Sequence, residues 1–461
     1  MKTVKQFTQI YILCICFFYT TFSFAQNVLT YLPETNGQVS SIIILGDTAF
    51  IAGAFTTVGG YARNNLAAIN IKTGVVLNWD PNSFGGTYLL ASNNNTVFTG
   101  GTFSTIGGKN RTALAAIDAA TGNVTDWNPV IIRSGFIYNN PIINTLVYGD
   151  NKLFITGVFD SINGQAILPK NIAVLDATTG QLVNWFTLNA SAYIYTALTS
   201  NNTLYVGGDF ATIGGQSRTA LASINLSSNT ITTWSPNLND RVNKMILING
   251  KLYLGGLFSI FGAGFKNGLA YVDTATGLPG NWNPLPSGSS VNDMALAGND
   301  MYVIRNNGIL ENYDINNGTK TDTWFPNNNM MAIASYGDTV IVGGQFTRGG
   351  WVNRNYLFAV TKGLSVGINE VSNAQQNIKV YPNPSTNELY ITQSAISIQQ
   401  LAVSMFDVTG KCVLKEAISS QQSAISVEEL SQGMYFVRIT DANGAVVKTQ
   451  KVQILPCLPK P

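Results

Sequence analysis

Carboxylates are the side chains of this chain best suited to catalysis, because its 461 residues include no histidine. The chain therefore lacks the commonest general base and metal ligand, and the residue on which serine-hydrolase triads depend. Asp160, Asp209 and Asp240 are candidates, and cleaving a polysaccharide would need two carboxylates in one cleft. Since these residues are isolated in sequence, we assign no catalytic residue, no metal and no cofactor.

Basic residues recur eight positions after a repeated phenylalanine. They are Arg63, Arg111, Arg218 and Arg354, with Lys266 and, after a small insertion, Lys170. One interpretation is a basic ring that holds a polyanion. The interpretation we favour is structural, with each side chain bonding loop carbonyls or stacking on a tryptophan of its own repeat.

Two aromatic markers define one repeat of about 50 residues. The phenylalanines are Phe55, Phe103, Phe159, Phe210, Phe258 and Phe346, and the tryptophans are Trp79, Trp127, Trp185, Trp234, Trp282 and Trp324. Within each copy, alternating apolar runs separated by tight turns predict four short antiparallel strands. Four strands at this period, without helical periodicity, are typical of a β-propeller blade.

Seven copies predict a seven-bladed propeller over residues 27–362. They begin near Val39, Tyr88, Ile142, Tyr195, Val242, Val291 and Met330. The last copy lacks its fourth strand, and residues 30–42 align with 233–245, which places Tyr31 at the tryptophan position. We expect this amino-terminal strand to complete the last blade and close the ring, which removes exposed sheet edges.

Residues 1–25 read as a secretory signal peptide. A basic start and an apolar run lead to a small-x-small site that predicts cleavage between Ala25 and Gln26. A membrane anchor is the alternative, but the apolar run is too short to span a bilayer, so we expect no transmembrane segment in the mature chain. Cys412 and Cys457 are too few for a disulfide framework.

The net charge of +2 is near neutral, and without a basic stripe we expect no nucleic-acid partner. Composition changes after the propeller. Residues 363–376 form a polar linker, residues 377–454 predict a compact β-sandwich of six or seven strands, and 455–461 form a tail.

Two stretches resemble known families. GGDFATIGGQSRTALASI (207–224) resembles the delta-sixty repeats of bacterial surface propellers. The carboxy-terminal part is similar to the type IX secretion sorting domain of Bacteroidota. The residues that carry this resemblance are Tyr381, Pro382, Asn383, Pro384, Asp407, Gly410, Leu430, Gly433, Tyr435 and Val437.

The sorting-domain resemblance implies passage through the type IX machinery to the cell surface or the medium. It also implies removal of the domain, with attachment to surface lipopolysaccharide or release. The extra residues 455–461 depart from the family pattern, in which the chain usually stops soon after the last basic strand.

We expect the ligand-binding residues to lie in the copies that depart from the repeat pattern. The longest connection, residues 128–141, carries Arg133, Phe136 and Tyr138, which suit a sugar or a protein surface. The alternative is an insertion that packs over its neighbour. Other departures are Asp240 with Arg241, RNNGIL at 305–310, and Trp351 in a loop.

The leading hypothesis is therefore a non-catalytic binding or adhesion module, secreted or held at the cell surface, with a glycan or protein ligand. One alternative is a glycosidase or lyase that uses carboxylates from different blades. A purely structural surface-layer component is the third possibility.

Overall fold

A computed structural model describes residues 28–134, 141–167, 172–183, 190–262, 264–284, 290–350, 352–361, 378–393, 401–407, 410–418, 422–441 and 446–455. The chain divides into two compact units, Met1–Gly363 and Leu364–Pro461. The described residues of both units form strands and contain no helix, which confirms the all-β class. The predicted signal peptide, the linker 363–376 and tail residues 456–461 lie outside these ranges. No helix in the described part is long and apolar enough to cross a membrane.

The described residues of the first unit contain seven large antiparallel sheets, which we number 1 to 7 along the chain, and six smaller ones formed by short hairpins. The first strands are Gln38–Leu45, Thr87–Ser92, Ile142–Gly149, Ile194–Ser200, Val242–Ile248, Val291–Ala297 and Met330–Tyr336. The second strands are Thr48–Ala54, Thr96–Gly101, Lys152–Val158, Thr203–Gly208, Lys251–Gly256, Asp300–Arg305 and Thr339–Gly344. The third strands are Leu66–Asn70, Leu114–Asp118, Ile172–Asp176, Leu221–Asn225, Leu269–Asp273, Leu310–Asp314 and Leu357–Thr361.

The fourth position of each sheet is the least regular. Sheets 4 and 6 have full fourth strands, Thr230–Ile231 and Lys320–Trp324. Sheets 1, 2, 3 and 5 have single bridges there, Ile69 to Val76, Ile117 to Val124, Leu175 to Leu182 and Val272 to Pro279. In sheet 7 the position is taken by the amino-terminal strand Val28–Leu29, which pairs with Val360 and Ala359.

A short hairpin connects the second and third strands of every sheet except sheet 6. The hairpins are Thr57–Val58 with Tyr61–Ala62, Thr105–Ile106 with Lys109–Asn110, Ser161–Ile162 with Gln165–Ala166, Thr212–Ile213 with Gln216–Ser217, Ile260–Phe261 with Gly264–Phe265, and Arg348–Gly349 with Val352–Asn353. In sheet 6 a tight turn takes this place, and Arg305 N donates to the carbonyl oxygen of Ile309 at 2.8 Å.

Apolar side chains and tryptophans join neighbouring sheets. One cluster contains Phe50 and Trp79 of sheet 1 together with Leu90 and Val97 of sheet 2, and such burial is the main stabilising term between sheets. Tryptophan Nε1 atoms also donate to a third-strand carbonyl of the next sheet. The pairs are Trp79 to Asp118 at 2.9 Å, Trp127 to Asp176 at 3.1 Å, Trp234 to Asp273 at 3.2 Å and Trp282 to Asp314 at 2.9 Å.

The recurring basic residues hold the fourth segment of their sheets, as the structural interpretation predicted. Each side chain donates to a backbone carbonyl oxygen of that segment. The pairs are Arg63 to Leu77, Arg111 to Thr125, Arg218 to Thr232 and Lys266 to Trp282. Arg354 of sheet 7 donates instead to Thr30 and Leu32 of the amino-terminal segment. Lys170 lies outside the described residues.

The second unit contains two antiparallel sheets in its described residues. One consists of Ile378–Tyr381, Glu388–Gln393 and Gln422–Ser426, and the other of Cys412–Ile418, Leu401–Phe406, Gly433–Thr440 and Val446–Ile454. Buried side chains from both sheets, including Val380, Leu389, Met405 and Val437, form one hydrophobic cluster.

Candidate functional site

Each first strand carries one extra residue at the same place. The pairing register with the second strand shifts there, as in a β-bulge. The extra residues are Ser40, Tyr88, Asn144, Tyr195, Asn243, Asn292 and Met331. We call the end of the sheets where these seven residues lie the bulge end. The short hairpins and the connections between sheets lie at this end, because they leave or enter the same strand ends.

Glycine makes these bulges possible in six sheets. A Cβ atom at Gly208 would lie 2.1 Å from the carbonyl oxygen of Tyr193, and one at Gly256 would lie 2.1 Å from that of Arg241. Glycine, which has no side chain, allows so close an approach of two backbones. Sheet 6 has Arg305 at this position.

The bulge end brings different repeats together. The first strands contact one another from sheet 1 through to sheet 7, and the first strand of sheet 7 contacts that of sheet 1. Asn243 of sheet 5, for example, donates from Nδ2 to the carbonyl oxygen of Val291 in sheet 6 at 2.8 Å. Residues about 48 positions apart in sequence thus become neighbours.

Sheets 4 and 5 form the most distinctive group at this end. The guanidinium carbon of Arg241 lies 4.9 Å from the ring centroid of Tyr195, a cation–π distance. The ring of Tyr193 lies 6.3 Å from that of Tyr195, at an interplanar angle of 47°. We call Tyr193, Tyr195 and Arg241 the Tyr–Arg cluster, and its Tyr193 side chain is 46% exposed.

Two predicted carboxylates adjoin the Tyr–Arg cluster. Asp209 N donates to the carbonyl oxygen of Tyr193 at 3.1 Å, and Asp240 Oδ1 accepts from Arg241 N at 2.6 Å. Both aspartates are exposed. Asp209 and Asp240, which were singled out from the sequence, therefore adjoin the cluster to which Arg241 belongs. The structure adds Tyr193 and Tyr195, which could have been found by comparing the copies at the start of each first strand.

The connection 128–141 is only partly described. Ile131–Ile132 pairs with the hairpin strand Ser161–Ile162. Arg133 follows, half-buried, and Asp160 accepts hydrogen bonds from the amide and hydroxyl of Ser134, so this carboxylate orders its own loop. Phe136, Tyr138 and Trp351 lie outside the described residues.

Sheets 2 and 3 expose apolar side chains at equivalent positions, Phe84 and Ile132, of which Phe84 is 75% exposed. The corresponding residues in other sheets are Asn36, Ser191, Asn239 and Asn327, whose side-chain oxygens accept hairpin amide hydrogens. In sheets 2 and 3 the backbone carbonyls accept instead, from Ser104 and Asp160. The side chains are thereby released to solvent.

Most other carboxylates have structural partners. Asp118, Asp176 and Asp273 each accept from a threonine three residues later, and these hydrogen bonds lower the pKa of each carboxyl. Asp293 is the one carboxylate of the seven described first strands. It binds Lys244 at 2.6 Å and Ile333 N at 3.1 Å. The described residues contain no group of three acidic or cysteine side chains that could hold a metal.

Sheet 6 buries charge that sequence reasoning did not detect. Glu311 has no exposed side-chain area, accepts from Tyr313 at 2.7 Å and Lys320 at 3.4 Å, and lies 3.9 Å from Arg305 Nε. Burial lowers the pKa of Arg305. The signal was present, because the residues that correspond to Glu311 are Ala67, Ala115, Ala173, Ala222, Ala270 and Phe358.

The predicted sorting residues make contacts within the second unit. Asn383 joins the first strand region to the last strand, donating to Lys451 O and accepting from Gln453 N, each at 2.9 Å. Tyr381 stacks on Tyr390 at 5.9 Å. The other predicted residues occupy turns and strand starts. Pro382 and Pro384 follow cis peptide bonds, Asp407 accepts from Lys411 N and Gly410 N, Gly433 begins a strand, and Tyr435 donates to Ser431 O.

Comparison with known families identifies two parts of the chain. Residues 379–454 match the family described as Secretion system C-terminal sorting domain. Residues 199–228 match the family described as Domain of unknown function (DUF5122) beta-propeller. These matches confirm propeller repeats followed by a type IX sorting domain, so the protein is exported to the cell surface or secreted.

No curated protein matches the chain. Among solved structures it is similar to PorZ, a surface component of the type-IX secretion system of Porphyromonas gingivalis, at 13% identity and TM-score 0.48, covering 93% of this chain and 60% of PorZ. The designed Ika8 protein shares 12% identity at TM-score 0.48, covering 72% and 98%. The WD40 propeller of Doa1 shares 12% at 0.47, covering 73% and 97%. Similarity at this level carries no information on ligand or activity.

Proposed function

We propose that this protein is a non-catalytic binding or adhesion module that holds a glycan or protein ligand at the bulge end. The observation that carries the proposal is the position of Arg241 over Tyr195, with exposed Tyr193 beside them. Aromatic and arginine side chains are the residues that most often dominate binding energy at recognition surfaces. Here they come from two sheets, at a position where the seven copies differ.

The architecture we propose for the first unit is a closed seven-bladed propeller. The pairing of Val28 and Leu29 with sheet 7 supports closure, as do the bonds from Arg354 to the amino-terminal segment. Tyr336 of sheet 7 also donates to Asp47 of sheet 1. We propose a β-sandwich for the second unit, because its two sheets share one hydrophobic cluster.

The distribution of carboxylates favours binding over catalysis. Hydrolysis of a glycoside needs two carboxyl groups held about 5 to 10 Å apart in one cleft. The described first strands supply Asp293, which Lys244 and a backbone amide already engage. Asp209 and Asp240 are exposed rather than enclosed in a cleft.

Binding assays on the mature full-length protein test this function. The protein would be applied to a glycan array and to immobilised host and bacterial surface proteins, with product analysis for each bound polysaccharide. We expect a stable complex with unaltered ligand, weakened by Tyr195→Ala and Arg241→Ala. Release of shortened polysaccharide would refute the non-catalytic proposal.

We propose that removal of the sorting domain is followed by attachment to surface lipopolysaccharide. The match at residues 379–454 supports handling by the type IX machinery. Deleting residues 377–461 should trap the propeller in the periplasm, whereas deleting only 455–461 provides a control that keeps all seven strands. Surface display of the variant that lacks residues 377–461 would contradict the sorting assignment. Attachment would be contradicted if the processed protein had the mass of its polypeptide alone, without added lipopolysaccharide.

A further inference from the structure

We propose that the Tyr–Arg cluster binds an uncharged sugar ring, an inference that rests on the proposed binding function and names its ligand class. Tyr193 offers the stacking face, because nearly half of its side chain is open to solvent. Tyr195 cannot offer both faces, since Arg241 covers one at 4.9 Å. Because the tyrosine rings are tilted by 47° and do not stack on each other, Tyr195 does not cover the face of Tyr193 in parallel.

The polar groups around the cluster suit hydroxyl groups. Sugar hydroxyls both donate and accept, and the group offers the N–H donors of the Arg241 guanidinium together with two carboxylates that only accept. Asp209 is anchored next to Tyr193 through its backbone amide, and Asp240 Oδ1 accepts from the backbone amide of Arg241. The backbone therefore holds donors and acceptors close to the aromatic residues, as is usual in sites with a few convergent polar groups.

The charges of this group do not favour an acidic sugar. Arg241 contributes one positive charge, whereas Asp209 and Asp240 contribute two negative charges. An anionic ligand would therefore meet one favourable and two unfavourable charges within the group. An uncharged ligand gains from stacking and hydrogen bonds alone, so its affinity should change little with ionic strength.

The experiment uses the mature full-length protein and a panel of uncharged, uronic-acid and amino-sugar oligosaccharides, titrated at low and high salt. We expect binding of uncharged oligosaccharides that is insensitive to salt. Tyr193→Ala should weaken it by about tenfold, the loss of one stacking contact. Tyr61→Ala is the matched control, because Tyr61 is 59% exposed but lies on the hairpin of sheet 1. Thermal unfolding of each variant separates lost binding from lost folding.

Two results would overturn the inference while leaving the proposed function intact. One is salt-sensitive binding of charged oligosaccharides only, and the other is binding of a protein ligand that Tyr193→Ala weakens without any affinity for sugars. Failure of every glycan and protein probe to bind would overturn the proposed function itself. Equal affinity of Tyr193→Ala and Tyr61→Ala for uncharged sugars would place the sugar elsewhere and refute the assignment of this cluster.

Discussion

Arg354 Nη1 donates a hydrogen bond to the backbone carbonyl oxygen of Thr30 at 3.2 Å, although 324 residues separate the two in sequence. A second bond from Arg354 reaches Leu32. The corresponding arginines of sheets 1, 2 and 4 bond carbonyls about 14 residues ahead, in their own sheets. In the other sheets this arginine–carbonyl hydrogen bond joins residues close in sequence. In sheet 7 it joins the first residues of the unit to its last sheet.

We expect Arg354→Ala to release the amino-terminal strand. Hydrogen bonds from a charged donor contribute about 1.5 to 3 kcal/mol each, so Val28–Leu29 should separate from sheet 7 more often. Limited proteolysis would show faster cleavage near residue 30. Arg218→Ala is the control, because its partners Ser217 and Thr232 lie within sheet 4. Equal cleavage in both variants would argue against this anchoring role.

The tryptophan bonds between sheets can be isolated by a paired substitution. Trp127→Phe removes the donor to Asp176 O, whereas Trp324 Nε1 has no hydrogen-bond partner among the described residues. Both changes remove the same atoms from a buried ring. We expect Trp127→Phe to lower the free energy of unfolding by about 1 kcal/mol more than Trp324→Phe, measured by urea denaturation. No difference would mean that the bond adds nothing to ring burial.

The turn carboxylates predict acid sensitivity. Hydrogen bonds from Thr121 lower the pKa of Asp118 in the folded state. Its contribution to stability is therefore complete above the unfolded pKa of about 3.9 and is lost as pH falls through the lower folded pKa. Asp118→Asn should leave stability at neutral pH almost unchanged, because Asn70 makes the same bonds in sheet 1. We expect a shallower loss of stability below pH 4 in a denaturation series; an unchanged slope would contradict this.

We expect the effects of substituting Arg305 and Glu311, the buried charges of sheet 6, on the free energy of unfolding to be strongly coupled. Removing Glu311 alone leaves the Arg305 guanidinium in a buried site, which typically costs about 3 to 5 kcal/mol. The double variant Arg305→Gly with Glu311→Ala introduces the residues that sheets 1 and 2 have at these positions. We expect it to be more stable than the sum of the single changes implies, in a double-mutant cycle by chemical denaturation. Additive effects would show that the two side chains act independently.

Local sequence patterns were enough to predict the strands and the propeller repeat. Alternating apolar residues determine which face of a strand is buried, and Gly-Asp or Asn-Gly pairs end the strand, so the first three strands of each copy could be drawn from sequence. Trp127 was expected in a core between blades and is buried there. Its bond to Asp176 could not be foreseen, because the partner belongs to the next copy.

The candidate site was less accessible to sequence reasoning. Arg241 stood out as a departure from the repeat, but its ring partner Tyr195 lies 46 positions earlier, at the bulge of the preceding sheet. Glu311 could have been found by comparing copies, since the other sheets have alanine or phenylalanine at this position, but its contacts with Arg305 and Lys320 depend on the packing of its sheet. Contacts of this kind depend on how sheets are packed, which local periodicity does not specify.

The bulges have a consequence for how such proteins can diversify. Each bulge adds one residue that pairs with nothing, so Tyr88, Asn144 or Met331 can be exchanged without altering the ladder on either side. In six of the seven sheets the glycine opposite keeps the backbone geometry, whatever residue occupies the bulge. One copy can therefore change its bulge residue while the others keep theirs, so a single inherited framework can carry different recognition surfaces.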